Sequence, residues 1–282
     1  MTIAVITGGA GGMGLEVAKI MGTREDLLLV DVSQEKLDAA VEEVRGAGVE
    51  RNIETAICDI SDRAQVKALA EKAAGLGTIG SVIHLAGVSG QLGAELVLKV
   101  NGLGVYNMIE EFFEVMPEGS NMITVNSLST DLNADYYDKN PEVAEMLFDH
   151  PEDPAFVAKL LATGEKTVEA SGGRAPLGGV CYGLAKYFSH RYSIRNVKRF
   201  WTKKIRLNTV TPGVIATPMG ILEKDGSDRM VAMMAIQEYG TPLQMATAIC
   251  WLTEPNAGDI TGIDLRVDGG WQALRKYPQI EA

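Results

Sequence analysis

Ile3-Ala4-Val5-Ile6-Thr7-Gly8-Gly9-Ala10-Gly11-Gly12-Met13-Gly14 stands almost at the start of the chain, and Leu15, Val17, Ala18, Ile20 and Met21 follow it at spacings of three and four residues. The apolar run predicts a buried strand, the glycines a tight turn, and the last set a helix packed on one face. In that order, the free N–H groups and positive dipole end of the helix face whatever the turn encloses, and a pyrophosphate suits them. An ordinary flexible turn is the other reading of such a glycine cluster, and the next segment weighs against it. Leu27-Leu28-Leu29-Val30-Asp31 reads as a second buried strand that ends in an acid 17 residues after Gly14. An aspartate at this point accepts hydrogen bonds from both hydroxyls of an adenosine ribose and repels a 2′-phosphate, so NAD is expected over NADP. Capping the helix that starts at Gln34 is the alternative role for Asp31, although Ser33 is better placed for it.

Strand and helix patterns continue to alternate. Residues 53–58, 81–85, 121–126, 205–210 and 263–267 read as strands, and 34–45, 64–74, 98–115, 181–201 and 243–252 as helices. Alternation of this kind specifies a parallel sheet with helical crossovers, an α/β fold of the doubly wound, Rossmann type. One domain is expected over residues 1–282, since no repeat, linker or low-complexity tract divides it. Residues 131–175 break the rhythm: Asp131, Asn133, Asn140-Pro141, Pro151 and Pro154 punctuate short helical patterns at 143–148 and 155–161, as a helical insertion would. The stretch from Gly220 to Tyr239 is methionine-rich, with Met230, Met233 and Met234 in helical register.

Composition narrows the partners. A formal net charge of -11 argues against nucleic acid or an anionic membrane surface. Lys198, Arg199, Lys203, Lys204 and Arg206 form the single dense basic run, read as the solvated end of a helix in preference to an anion site. Cys58, Cys181 and Cys250 are far apart and in no spacing that suggests a metal or a redox pair, so free thiols in a reducing compartment are expected. With no basic leader and no apolar run of membrane length, the expected location is cytoplasmic.

Tyr182-Gly183-Leu184-Ala185-Lys186 lies on the longest expected helix. Four residues apart, the phenol of Tyr182 and the ammonium of Lys186 share one face, with Cβ atoms about 5–6 Å apart. A cation beside a phenol favours the phenolate and draws its pKa down from about 10 toward neutrality. By itself the pair also fits a solvated helix edge, so its meaning depends on the rest of the chain.

Thr7-Gly8 with Gly12 and Gly14, Asp31, Asp59-Ile60, Leu85-Ala86-Gly87, Val100-Asn101, a serine closing the fifth strand, Tyr182 with Lys186, Pro212-Gly213 before Thr217-Pro218-Met219, and Val267-Asp268-Gly269-Gly270 occur in that order along nearly the whole chain. The set resembles the short-chain dehydrogenase/reductases. The resemblance implies an NAD-dependent oxidoreductase that interconverts a secondary alcohol and a ketone. Tyr182 would be the general acid/base, and Lys186 would lower its pKa and bind the nicotinamide ribose. A serine would hold and polarise the carbonyl, and Asn101 would hold a proton-relaying water. It also implies a cofactor site formed by Gly8, Gly12, Met13, Gly14, Asp31, Asp59, Ile60, Ala86, Gly87, Tyr182, Lys186, Pro212, Gly213 and Thr217, with Asp59 at the adenine. Alignment of the strand from Gly119-Ser120 places Ser127 at the serine position, and Ser129 is the competing choice.

Three departures from the family pattern stand out. His84 and Leu85 replace the usual asparagines before Ala-Gly, and a packed strand residue is the preferred reading of His84. The interval from Gly87 to Asn101 is short for a full helix. Ser127 and Tyr182 are 55 positions apart. The last two features are similar to those of the bacterial 3α-hydroxysteroid dehydrogenase/carbonyl reductase branch, and that likeness implies a homodimer paired through the last helix and strand. The resemblance also implies a substrate lid at about 216–240, after Pro212-Gly213; Met219, Ile221, Leu222, Met230, Met233 and Met234 there are adaptable and apolar, so a hydrophobic alcohol or ketone, such as a hydroxysteroid, is the first substrate expectation. The same methionines could instead pack a helix onto the sheet. A polyol or small hydroxy compound is the runner-up, as Glu223, Lys224 and Asp225 lie in the same stretch. A dinucleotide-binding sensor without chemistry is the competing class, disfavoured by the presence of Asn101, Ser127, Tyr182 and Lys186 together.

Overall fold

In the computed structural model, residues 2–280 are described apart from 133, 141, 142, 144, 146, 223 and 278. Asn133, Pro141 and Glu223, singled out above, therefore lie outside the described residues, as do the side chains of Ile221, Leu222, Lys224 and Asp225.

Seven parallel strands form one sheet: β1 (Thr2–Thr7), β2 (Asp26–Asp31), β3 (Ile53–Ile57), β4 (Thr78–His84), β5 (Asn121–Val125), β6 (Arg206–Pro212) and β7 (Asp264–Val267). Their order across the sheet is β3-β2-β1-β4-β5-β6-β7, the doubly wound arrangement expected from the alternation. Both faces are covered, which is why the central strands read as unbroken apolar runs. Ile3 and Val5 of β1 join Leu28 and Val30 of β2 in one core layer, while Ala4, Ile6, Leu27 and Leu29 point into the other.

The helices that matter to the site are α1 (Gly12–Met21), α2 (Gln34–Gly46), α3 (Arg63–Leu76), α4 (Gly104–Val115), α5 (Phe156–Ala170), α6 (Leu177–Trp201) and α7 (Pro242–Thr253). Phe112 of α4 and Phe200 of α6 fill one core layer, and Val17 of α1 and Ile249 of α7 fill the other. Ser33 caps α2 through Oγ, which accepts from the Lys36 N–H at 3.4 Å, so the capping role considered for Asp31 is taken by its neighbour. The run before α4 is not regular. A 3₁₀ turn (Gly90–Leu92), a short helix (Ala94–Val97) and a π turn (Leu98–Leu103) carry the chain from Gly87 to Asn101 and beyond.

Between Ser127 and Tyr182 the described residues include the helices Ser129–Leu132, Ala134–Lys139 and α5. These pieces cover the outer side of α6. Tyr137 lies 5.0 Å from Tyr187 between ring centres, and Phe156 lies 5.1 Å from Phe188. The six-residue helix Trp271–Lys276, absent from the sequence expectation, follows β7.

The basic run is engaged within the fold. Arg199 donates to Glu110 at 2.5 Å, Lys203 to the Phe113 carbonyl at 2.6 Å and Arg206 to the Leu252 carbonyl at 2.7 Å. All three cysteines are free and buried.

Candidate active site

The sheet changes winding direction between β1 and β4, and ligands of such folds bind at the C-terminal strand ends beside that point. The glycine turn lies there. Gly8 has φ +67° and Gly12 has φ +52°, conformations in which a side chain is strained. A Cβ on Gly14 would sit 2.1 Å from the Gly8 carbonyl oxygen, so no other residue lets α1 start this close to the turn. No side chain caps α1, and its positive end stays open toward the turn. This cradle of glycines at an uncapped helix start fits a dinucleotide pyrophosphate.

The other expected cofactor residues surround it. Asp31 ends β2, with Oδ1 accepting from the Val32 N–H at 2.8 Å. Asp59, exposed after β3, is braced by the Ser61 N–H and hydroxyl at 2.9 and 2.8 Å. Ile60 does not face the cleft; it is buried, and a Cβ on Gly104 would meet its Cδ1 at 2.8 Å. The Ala86 N–H donates to Thr7 Oγ1 at 3.2 Å, tying the ends of β1 and β4 together. Thr217 Cγ2 would lie 3.5 Å from a Cβ on Gly12, so the segment after Pro212-Gly213 reaches over the glycine turn.

A cleft of about 460 Å³ opens beside the turn. Of the expected residues, Met13, Gly87, Asn101, Ser127, Tyr182, Lys186, Pro212, Gly213 and Thr217 line it. Gly8, Asp31, Asp59 and Ala86 belong to the adjoining strand ends, and Gly12 and Gly14 to the start of α1.

Within the cleft, Lys186 is buried, its Nζ donates to the Val125 carbonyl at 2.9 Å, and it lies 6.0 Å from the centre of the Tyr182 ring. Burial pushes the Lys186 ammonium down to a pKa of about 8. Asn101 sits in the π turn, and its side chain clamps Val88: Oδ1 accepts from the Val88 N–H at 2.8 Å and Nδ2 donates to the Val88 carbonyl at 2.8 Å. A Cβ on Gly87 would stand 3.1 Å from Asn101 Oδ1 and 3.8 Å from Lys186 Nζ, so these two groups converge on Gly87.

Ser127 Oγ accepts from the Ser129 N–H at 3.2 Å. That bond leaves the Ser127 hydroxyl proton available to donate; Ser129, the competing choice, also lines the cleft, at the start of the helix Ser129–Leu132.

His84 packs as its strand position implies. Nδ1 is 2.7 Å from Thr7 Oγ1, and burial, aided by the Lys186 charge, holds the imidazole down to a pKa of about 3.

The structure adds residues that the sequence patterns do not reveal. Asn126, Leu128, Leu132, Val180 and Val214 line the cleft, and Asn126 is 3% exposed with neither amide atom hydrogen-bonded in the structure. Its only signal in the sequence is adjacency to Ser127. Gly90 and Gly178 also count: a Cβ on Gly178 would lie 2.2 Å from the Gly90 carbonyl oxygen, so this pair lets the 3₁₀ turn press on the start of α6 just before Tyr182. The methionines divide between the two readings offered for them. Met219 and Met230 line the cleft, Met234 is buried against Gly213 and Gly269, and Met233 is exposed.

Fold and site together define a Rossmann-type oxidoreductase with a glycine cradle and a Tyr-Lys pair. A family model described as short chain dehydrogenase matches residues 2–136, and one described as Enoyl-(Acyl carrier protein) reductase matches residues 172–272. The chain belongs to the short-chain dehydrogenase/reductase family, whose members bind a nicotinamide cofactor.

Among relatives, it is 27% identical to short-chain dehydrogenase/reductase bsc3 of Alternaria brassicicola, covering 95% of this chain and 94% of that one. It is 25% identical to D-threitol dehydrogenase of Mycolicibacterium smegmatis (95% and 92% covered) and 24% identical to 3beta-hydroxysteroid dehydrogenase 2 of Eggerthella lenta (96% and 94% covered). Solved structures with the same fold include levodione reductase, with TM-score 0.76 at 20% identity over 98% of both chains. Another is a short chain dehydrogenase from Burkholderia cenocepacia in complex with NADP, with TM-score 0.73 at 20% identity over 96% of this chain and 98% of that one.

Proposed function

We propose that the protein is an NAD-dependent dehydrogenase/ketoreductase that interconverts a secondary alcohol and a ketone on a bulky, apolar substrate such as a hydroxysteroid. The observation that carries this reading is the cleft around Tyr182. Leu128, Leu132, Val180, Val214, Met219 and Met230 line it, and among the described lining residues Lys186 alone is charged. Such a wall favours a neutral, hydrophobic substrate, because a cation would be desolvated there beside Lys186 and an anion along the apolar side chains would find no partner but Lys186. The acid at Asp31 supports NAD, since a 2′-phosphate would meet a carboxylate at the end of β2.

The cofactor, when bound, supplies or accepts the hydride. Gly8, Gly12 and Gly14 hold its pyrophosphate, Asp31 its adenosine ribose and Asp59 its adenine. Pro212, Gly213 and Thr217 cover it, and Lys186 bonds the nicotinamide ribose. In the reducing direction the Ser127 hydroxyl donates to the substrate carbonyl oxygen and polarises it. The Tyr182 phenol then delivers a proton to that oxygen, and in the oxidising direction it takes the proton back. Lys186, charged below a pH of about 8, stabilises the phenolate left on Tyr182. With the Asn101 amide engaged by Val88, the water-holding role falls to the backbone of the π turn.

A polyol substrate is the second reading, favoured by the likeness to a D-threitol dehydrogenase. A panel of steroids, aryl ketones and polyols, each assayed with NAD and NADP, separates the two; turnover confined to polyols sinks the apolar reading. In the Tyr182→Phe variant, cofactor binding is retained and turnover falls by about 10²- to 10⁴-fold. Unchanged turnover in that variant removes the mechanism.

Pairing as a homodimer through the last strand and helix belongs to the same proposal. The inserted helices cover the outer side of α6, whereas Met233, Ile236 and Leu274 are exposed near the C-terminal end. A stable tetramer by solution mass measurement counts against it. A cytoplasmic location accords with three buried free thiols, and fractionation of cells tests it.

A further inference from the structure

Residues 127–131 form one tight unit between β5 and the inserted helices. Ser127 Oγ accepts from the Ser129 N–H at 3.2 Å, the Ser127 carbonyl accepts from the Thr130 N–H at 3.0 Å, and the Leu128 carbonyl accepts from the Asp131 N–H at 3.0 Å. A shift of Asp131 therefore carries Ser127 with it. Asp131 in turn is fastened to the C-terminal edge of the sheet. Arg266 of β7 engages its carboxylate through both terminal nitrogens, Nη1 to Oδ2 and Nη2 to Oδ1, the latter at 3.0 Å, and Gln272 Nε2 donates to Oδ1 at 3.4 Å.

Arg266 has no slack of its own. Its Nε lies 2.8 Å from Asp264 Oδ2, and the Asp264 carboxylate accepts from the hydroxyls of Thr209 at 2.7 Å and Thr211 at 2.8 Å. The side chains of Asp131, Arg266 and Asp264 are only 14%, 22% and 11% exposed, so solvent screens this fork weakly and its geometry is specific. The path runs from β6 through β7 to the turn that bears Ser127, across 135 positions of sequence between Asp131 and Arg266.

We infer that Asp131 and Arg266 are positioning residues for the reaction: their ion pair sets the orientation of the 127–131 turn and thereby aims the Ser127 hydroxyl proton at the substrate oxygen beside Tyr182. Because Oγ already accepts from Ser129, the direction of that proton is decided by how the turn is held. The inference rests on the proposed role of Ser127 as the polarising donor.

The test compares Asp131→Asn, Ser127→Ala, the double variant and Arg266→Lys, each shown to be folded by circular dichroism and assayed below the onset of unfolding. Asp131→Asn keeps the shape of the side chain and removes the charge. Its kcat falls about tenfold or more, as misplacement of a reacting group predicts, while cofactor affinity stays within about twofold of wild type. In the Ser127→Ala background the same change costs no further kcat. Arg266→Lys keeps the charge without the fork and gives an intermediate loss.

Wild-type kcat in Asp131→Asn, a parallel loss of cofactor affinity, or an equal loss of kcat in both backgrounds overturns the inference while leaving Ser127 to its own variant. If Ser127→Ala turns over at the wild-type rate, the serine role and the inference fall together.

Discussion

Lys186 reaches the Val125 carbonyl at 2.9 Å with its ammonium 6.0 Å from the centre of the Tyr182 ring, so the charge beside the phenol is held by β5 as well as by its own helix. Four residues of helix bring the two side chains to one face, and the strand end fixes the ammonium. The arrangement has a stability cost, because a buried cation with one backbone partner is poorly solvated.

That cost gives a first prediction. The Lys186 pKa is lowered by burial from 10.5 to about 8, so below about pH 8 the folded state carries the full penalty, and the penalty is relieved as pH rises toward 10.5. The shift corresponds to about 3 kcal/mol, offset by about 1 kcal/mol for the bond to Val125. Lys186→Met is therefore expected to be inactive yet about 2 kcal/mol more stable than wild type at pH 7. Urea unfolding across pH should show the gap closing on the alkaline side; a gap that widens there refutes the account.

His84 predicts the opposite limb of the pH profile. Its pKa falls from 6.5 to about 3, so the unfolded chain takes up a proton that the fold refuses, and stability drops as pH decreases below 6.5. At pH 5 the loss from this group is about 2 kcal/mol. In His84→Asn, stability between pH 7 and pH 5 should be flatter than in wild type by about that amount. Parallel profiles would mean that another group governs the acid limb.

The proposed preference for NAD rests on Asp31. Replacement by Ser removes the charge that opposes a 2′-phosphate, so the ratio of kcat/KM for NADP over NAD should rise by about tenfold or more. An unchanged ratio shows that discrimination resides elsewhere.

Gly14→Ala tests the cradle. A methyl 2.1 Å from the Gly8 carbonyl oxygen forces α1 away from the turn. Cofactor affinity, followed by NADH fluorescence, should weaken about tenfold or more in protein that remains folded, because the N–H groups no longer meet the pyrophosphate. Retention of wild-type affinity would mean that the turn does not hold it.

Local signals account for how much of the site was legible in advance. The glycine turn, Asp31 and the Tyr182–Lys186 pair each depend on residues close in sequence, where backbone geometry alone brings the groups together. The methionine stretch was ambiguous, since helical spacing is the same for a side chain facing a cleft and one facing a core. Only the packing separates Met219 and Met230 from Met234. The π turn at Asn101 was likewise invisible, because the apolar spacing of 98–115 is satisfied by a continuous helix. The final helix, Trp271–Lys276, is six residues long and marginal by propensity; Asp268, accepting from the Gly270 and Gln272 N–H groups, anchors its start.

Sequence by itself determined the sheet, the glycine turn before α1 and the spacing of Tyr182 and Lys186, since periodicity and short spacings encode them directly. Tertiary structure decided what surrounds that pair, the apolar cleft wall with Ser127 in it, and what lies behind the wall, the ion pair between Asp131 and Arg266. Those features join residues far apart in the chain, and only packing brings their chemistry together.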